Sequence, residues 1–158
     1  MSSAVGKLLR KNKKTLALAE SCTGGLVSHL ITETPGSSGY FLGSVVSYDN
    51  AVKTAKLGLN PGMIRKKGAV SEEAAKAMAK NVKEILGSDF GIGITGIAGP
   101  GGGSRKKPVG LVYIAIASKG GTHSQKFRFF GTRTEIKSRA AQKSLDLLRL
   151  KLLATSQT

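Results

Sequence analysis

Apolar and polar positions along the chain fall into short blocks whose period switches between helix-like and strand-like. Val5, Leu8 and Leu9, with basic residues between them, predict a helix over 3–12. An apolar run at 15–19 reads as a short buried strand, and Leu26, Val27, Leu30 and Ile31 place one apolar face on a helix over 24–33. After the turn cluster Pro35-Gly36-Ser37-Ser38-Gly39, the segment Phe41–Tyr48 is rich in strand formers. Asn50 is placed to cap a short helix over 51–57, which Gly58 and Pro61 close. Ser71, followed by Glu72 and Glu73, starts a helix whose apolar residues run from Ala75 to Leu86 at helical spacing, and Gly87 ends it. Phe90–Ile94 is a second short buried strand and Gly96–Gly103 a glycine-rich loop. Strands over Gly110–Ser118 and His123–Phe130 are joined by Lys119-Gly120-Gly121, a hairpin signal. Thr132-x-x-Glu135 is a capping box for a last helix over about 133–153, and a frayed tail is expected from Ser156.

The order α-β-α-β-α-α-β-β-β-α predicts a mixed β-sheet with helices on both faces, a three-layer α/β/α sandwich. The 158 residues fit one domain, expected over 1–158, and show no internal repeat or linker. No apolar run reaches the roughly 18 residues that span a bilayer. No basic-then-apolar leader opens the chain, and its one cysteine allows no internal disulfide. A cytoplasmic protein without membrane association is therefore expected.

Composition narrows the chemistry. Two His, one Cys and nine acidic residues include no Cys-x-x-Cys or His-Glu-x-x-His spacing, so neither a metal nor a cofactor is expected. The formal charge of +16 reads either as a basic bias of a solvated surface or as the mark of an anionic partner. Such a partner would be nucleic acid or a phosphorylated small molecule; the basic residues are spread along the chain and few aromatics accompany them to stack bases.

Three stretches could carry chemistry. In Glu20-Ser21-Cys22-Thr23-Gly24-Gly25, a buried strand ends in hydroxyls, a thiol and glycines just before a helix. Ser21 there is either a nucleophile or a helix-capping serine. The amides from Thr23 through Gly24 and Gly25 to Leu26 are candidates to hold an oxyanion or phosphate. Adjacent residues at a strand end point to opposite sides, so only one of Ser21 and Cys22 is expected to face a pocket. In Tyr48-x-Asn50-x-x-Lys53, Tyr48 and Asn50 share a face if the strand persists. Lys53 in a first helical turn would be biased toward its neutral form, able to take a proton from serine without a histidine; spacing alone favours a solvated lysine. Thr95-Gly96 opens the glycine-rich loop at a second strand end, which could share a crevice with Ser21; the alternative is a flexible surface loop. That loop lacks the closing Gly-Lys-Ser/Thr of a phosphate-binding loop, and Gly91-x-Gly93 lies inside a strand, so it is no dinucleotide fingerprint. His29 and His123 have no acidic neighbours arranged as in a triad.

Taken together, Ala19-Glu20-Ser21-Cys22-Thr23-Gly24-Gly25, Pro35-Gly36-Ser37-Ser38, Ser47-Tyr48-x-Asn50-x-x-Lys53, Gly68-Ala69-Val70-Ser71-Glu72, Thr95-Gly96-Ile97-Ala98-Gly99-Pro100-Gly101-Gly102 and Lys107-Pro108-Val109-Gly110 resemble the CinA C-terminal domain family, over about 5–153. The family is similar to the nicotinamide-nucleotide amidohydrolases. The resemblance implies deamidation of nicotinamide mononucleotide to nicotinate mononucleotide and ammonia. It implies Ser21 as nucleophile, Lys53 and Tyr48 beside it, and Thr95 at the second strand end. It also implicates Arg133 from a Gly-Asp-Arg motif that here reads Gly131-Thr132-Arg133, without the aspartate. Thr23, Gly24, Gly25, Asn50 and Gly96 join Arg133 as candidate substrate-binding residues. Family members form dimers, so a homodimer is expected. They are often fused to an N-terminal molybdopterin-binding-like domain, so this chain resembles the stand-alone form. The family's link to competence and DNA damage keeps a non-catalytic nucleic-acid- or anion-binding module as the alternative.

Overall fold

The structure is a computed structural model that describes residues 1–155. Helix α1 spans Ser2–Lys11, β1 Leu16–Glu20, α2 Leu26–Thr32, β2 Phe41–Val46, α3 Asn50–Leu57, α4 Pro61–Lys67, α5 Glu72–Leu86, β3 Phe90–Gly96, β4 Leu111–Ser118, β5 Gly121–Arg128 and α6 Arg133–Thr155. A 3-10 turn at Ser37–Gly39 precedes β2. The expected tail from Ser156 lies outside the described residues.

The strands lie in the order β2-β1-β3-β4-β5. The first three are parallel, and β4 and β5 continue the sheet antiparallel as a hairpin. The chain leaves β1 for β2 on one side and returns to β3 on the other. The carboxyl ends of β1 and β3 therefore flank a topological switch point, where open α/β sheets form a crevice.

Residue size differs sharply between the two faces of the sheet. Leu16 and Leu18, Ile92 and Ile94, and Ile114 and Ile116 face α1, α2 and α6, where they pack with Val5, Leu9, Val27, Ile31, Leu145 and Leu148 in the larger core. The alternate positions, Ala17 and Ala19, Gly91 and Gly93, Ala115 and Ala117, face α5 and are all small. This lets α5 sit against the sheet backbone. A Cβ added at Gly93 would lie 2.3 Å from the Ala75 carbonyl oxygen, and one at Gly91 2.1 Å from that of Ala79. Gly91-x-Gly93 is thus a close-packing stripe beneath a helix.

The capping signals hold at Ser71, whose Oγ accepts from the Ala74 amide at 3.2 Å. They hold also at Thr132, whose hydroxyl and amide both donate to Glu135 Oε2, at 2.8 and 2.7 Å. Three local readings change. Asp49, not Asn50, caps α3, its carboxylate accepting from the Ala51 amide at 2.7 Å. Strand β2 ends at Val46, so Tyr48 and Asn50 do not share a strand face. Pro61 opens a helix rather than closing one: Asn60 Oδ1 accepts from Gly62 and Met63, and proline at the first position lacks only an N–H that has no helical partner.

Candidate active site

A cavity of about 260 Å³ opens at the carboxyl ends of β1 and β3. Ser21 and Cys22 reach it from the end of β1, Thr95 and Gly96 from β3, and Asn50 and Lys53 from α3. Tyr48, Ala69 and Val70 form part of its walls, the loop from Ile97 to Gly102 forms another, and Arg133 stands at its edge. None of these residues is acidic.

Ser21 is anchored through its backbone, its amide donating to the Ile94 carbonyl at 3.0 Å. Its side chain has no hydrogen-bond partner among the described residues, and only 8% of the residue is exposed. Cys22 borders the same cavity, contrary to the expectation that only one of the pair would. Burial pushes its thiol up from 9.0 to about 12, against the pull of its own amide, Lys53 and Lys137, so the thiolate that a cysteine nucleophile needs is suppressed.

Lys53 is 1% exposed, unusual for a lysine. Its Nζ donates to the Ser47 carbonyl at 2.6 Å and the Tyr48 carbonyl at 3.1 Å. Burial lowers its pKa from the ordinary 10.5, while Asp49 and Cys22 act in the opposite direction. Desolvation is the main cause, where the sequence suggested the helix dipole. Thr95 Oγ1 donates to the Ala69 carbonyl at 2.7 Å, so this hydroxyl ties β3 to the cavity wall. Arg133 bridges two walls: Nη1 donates to the Gly99 carbonyl at 2.7 Å and Nη2 to the Tyr48 hydroxyl at 2.5 Å. Tyr48 is 56% exposed and reaches the cavity from the loop after β2.

Thr23, Gly24 and Gly25 lie elsewhere. They do not line the cavity, and the amides of Gly24, Gly25 and Leu26 are already engaged, whereas that of Thr23 has no protein acceptor among the described residues. The Glu20 carboxylate, fully buried, accepts from the amides of Gly25, Val27 and Ser28 and from the hydroxyls of Thr23 and Ser28, at 2.6–3.1 Å. The Gly24 amide returns to the Ser21 carbonyl at 3.0 Å. An internal carboxylate occupies the place proposed for a ligand, and consecutive left-handed residues, Gly24 at φ 63° and Gly25 at φ 95°, wrap the chain around it. Glu20 was missed as a structural anchor, although an acid ending an apolar strand just before Gly-Gly was a readable signal. On the cavity side, the amides of Ala98, Gly99, Gly101 and Gly102 have no protein acceptor among the described residues. Among those residues no three His, Cys, Asp or Glu side chains cluster to hold a metal.

A mixed sheet between two helical layers, with an acid-free cavity at its switch point, defines the class: a three-layer α/β domain with a crevice at the carboxyl ends of its parallel strands. The chain belongs to the CinA C-terminal domain family, whose model matches residues 1–152. It is 52% identical over 153 residues to a CinA-like protein of Desulfotalea psychrophila, a match covering 97% of this chain and 37% of that protein. The chain thus spans little more than a third of the curated relatives it matches. Among solved structures, a competence-damaged protein (CinA) superfamily protein from Klebsiella pneumoniae superposes with a TM-score of 0.93 at 27% identity, covering 97% of this chain and 96% of that one. The competence/damage inducible protein CihA from Agrobacterium tumefaciens is 35% identical with a TM-score of 0.87, covering 94% and 95%. Among the described residues no helix is long and apolar enough to cross a membrane.

Proposed function

We propose that this domain hydrolyses the carboxamide of nicotinamide mononucleotide, with Ser21 as nucleophile and Lys53 as its base. The observation that carries this reading is the opening of a partner-free serine hydroxyl and a buried, cation-disfavouring lysine onto one cavity. Two carbonyls, of Ser47 and Tyr48, engage Lys53 Nζ. A neutral amine has two N–H bonds to give them and keeps one lone pair, the group needed to accept a proton. Lys53 takes the Ser21 Oγ proton as Oγ bonds to the carboxamide carbon. The C–N bond then breaks, and the Lys53 ammonium returns the proton to the leaving NH₂, which departs as ammonia. Water, deprotonated by the same amine, attacks the ester carbonyl; the bond to Ser21 Oγ breaks, the Lys53 ammonium returns the proton to Oγ, and the carboxylate product leaves. The acceptor-free amides of the 98–102 loop are candidate donors for the oxyanion. Arg133 and the absence of acidic lining suit a substrate phosphate.

Ammonia release from nicotinamide mononucleotide, compared with nicotinamide riboside, tests substrate and phosphate together. The expected result is turnover of the mononucleotide with kcat/KM at least about tenfold above the riboside, the equivalent of one charge-assisted hydrogen bond. Equal kcat/KM for both would remove the phosphate from the reading.

A further inference from the structure

Two of the sequence motifs, Gly68-Ala69-Val70-Ser71 and Lys107-Pro108-Val109-Gly110, have no part in the chemistry above, yet the structure joins them. Segment 67–70 runs from the end of α4 to the cap of α5 and supplies Ala69 and Val70 to the cavity wall. All four of its carbonyls are taken by side chains. Lys107 Nζ donates to those of Lys67 and Val70, both at 2.7 Å. Ser71 Oγ donates to Gly68 at 2.8 Å, and Thr95 Oγ1 to Ala69. A side chain at Gly68 would intrude on the ammonium, because an added Cβ would lie 2.7 Å from Lys107 Nζ. Lys107 is itself fixed at the far end of the glycine-rich loop: its amide donates to Ser104 Oγ at 3.0 Å, and its carbonyl accepts from the Ser104 amide at 2.8 Å. One ammonium therefore fastens the glycine-rich loop to the opposite wall. With the carbonyls committed, the amides of Ala69 and Val70 have no protein acceptor among the described residues.

We propose that Lys107 is a positioning residue, which holds segment 67–70 so that the Ala69 and Val70 amides bind a substrate oxygen in the cavity. The inference rests on the amidase reading. It is tested with Lys107→Met, which keeps the apolar stem and loses the donors, and with Lys107→Arg, which restores a cation. In Lys107→Met, KM for nicotinamide mononucleotide is expected to rise about tenfold, the loss of one hydrogen bond's worth of binding, with kcat changed less than about threefold. Lys107→Arg is expected to recover most of this. Amide order parameters at 68–70 in the ligand-free protein are expected to fall from about 0.85 toward 0.6 in Lys107→Met and to stay high elsewhere. Unchanged KM and order parameters would overturn the proposal. So would a general loss of Tm with kcat and KM affected alike, the sign of a purely structural lysine. Absence of ammonia release from the parent protein would contradict the amidase reading alone, since the order parameters judge the clamp without a ligand.

Discussion

At the residue scale two buried ionisable groups of the site do opposite work. Glu20 is satisfied by five donors and makes the turn after β1 rigid, which fixes where Ser21 stands. Replacing it with glutamine sets an NH₂ against N–H groups that need an acceptor, so Glu20→Gln is expected to lose at least about 2 kcal/mol in urea denaturation. A loss under about 0.5 kcal/mol would show that the turn holds without the carboxylate. Lys53 is poorly solvated, and its pKa lies below 10.5. The neutral base grows with pH through that lowered value, so kcat/KM should rise with pH and level off below 10.5. A limb still rising above 10.5 would mean that burial does not tune this lysine. The hydroxyl and lysine candidates were legible through the motifs that resemble the family, since spacing alone left each of them a structural alternative. The signal at Glu20, an acid just before Gly-Gly, also reads as a plain polar strand end, and Lys107 is one of 25 basic residues until the chain folds.

At the element scale, the large and small faces of the sheet set the distance between β3 and α5, and through it the position of the Thr95 end of the crevice. The period-two pattern of Leu, Ile, Ala and Gly is in the sequence, which is why the strands and their order along the chain were readable. What the small residues were for required seeing α5 on top of them. Gly93→Ala, with its Cβ also 2.5 Å from the Ala79 amide, forces α5 outward. It is expected to cost about 1–3 kcal/mol of stability in thermal or urea unfolding, and to lower kcat/KM through displaced Thr95. A neutral Gly93→Ala would mean that the helix can retreat without strain. The short helix α4 escaped notice because its two signals, Asn60 and Pro61, read equally as a turn.

At the scale of the whole molecule, groups from four places far apart in the chain converge: the end of β1, the start of α3, the end of β3 and the first turn of α6. The basic residues behind the +16 charge are spread along the chain, while Arg133 stands at a cavity without acidic lining, which supports the phosphate-bearing substrate proposed for it. The convergence itself could not be read from spacing, since it depends on which strands become neighbours; the switch point between β1 and β3 creates it. The most direct measurement is ammonia release from nicotinamide mononucleotide by the parent protein, Ser21→Ala and Cys22→Ala, each with its Tm. Turnover is expected in the parent and in Cys22→Ala, and in Ser21→Ala a loss of at least about 10³-fold in kcat at a Tm within a few degrees of the parent. Near-parental turnover by Ser21→Ala, or its loss in Cys22→Ala alone, would contradict the serine mechanism.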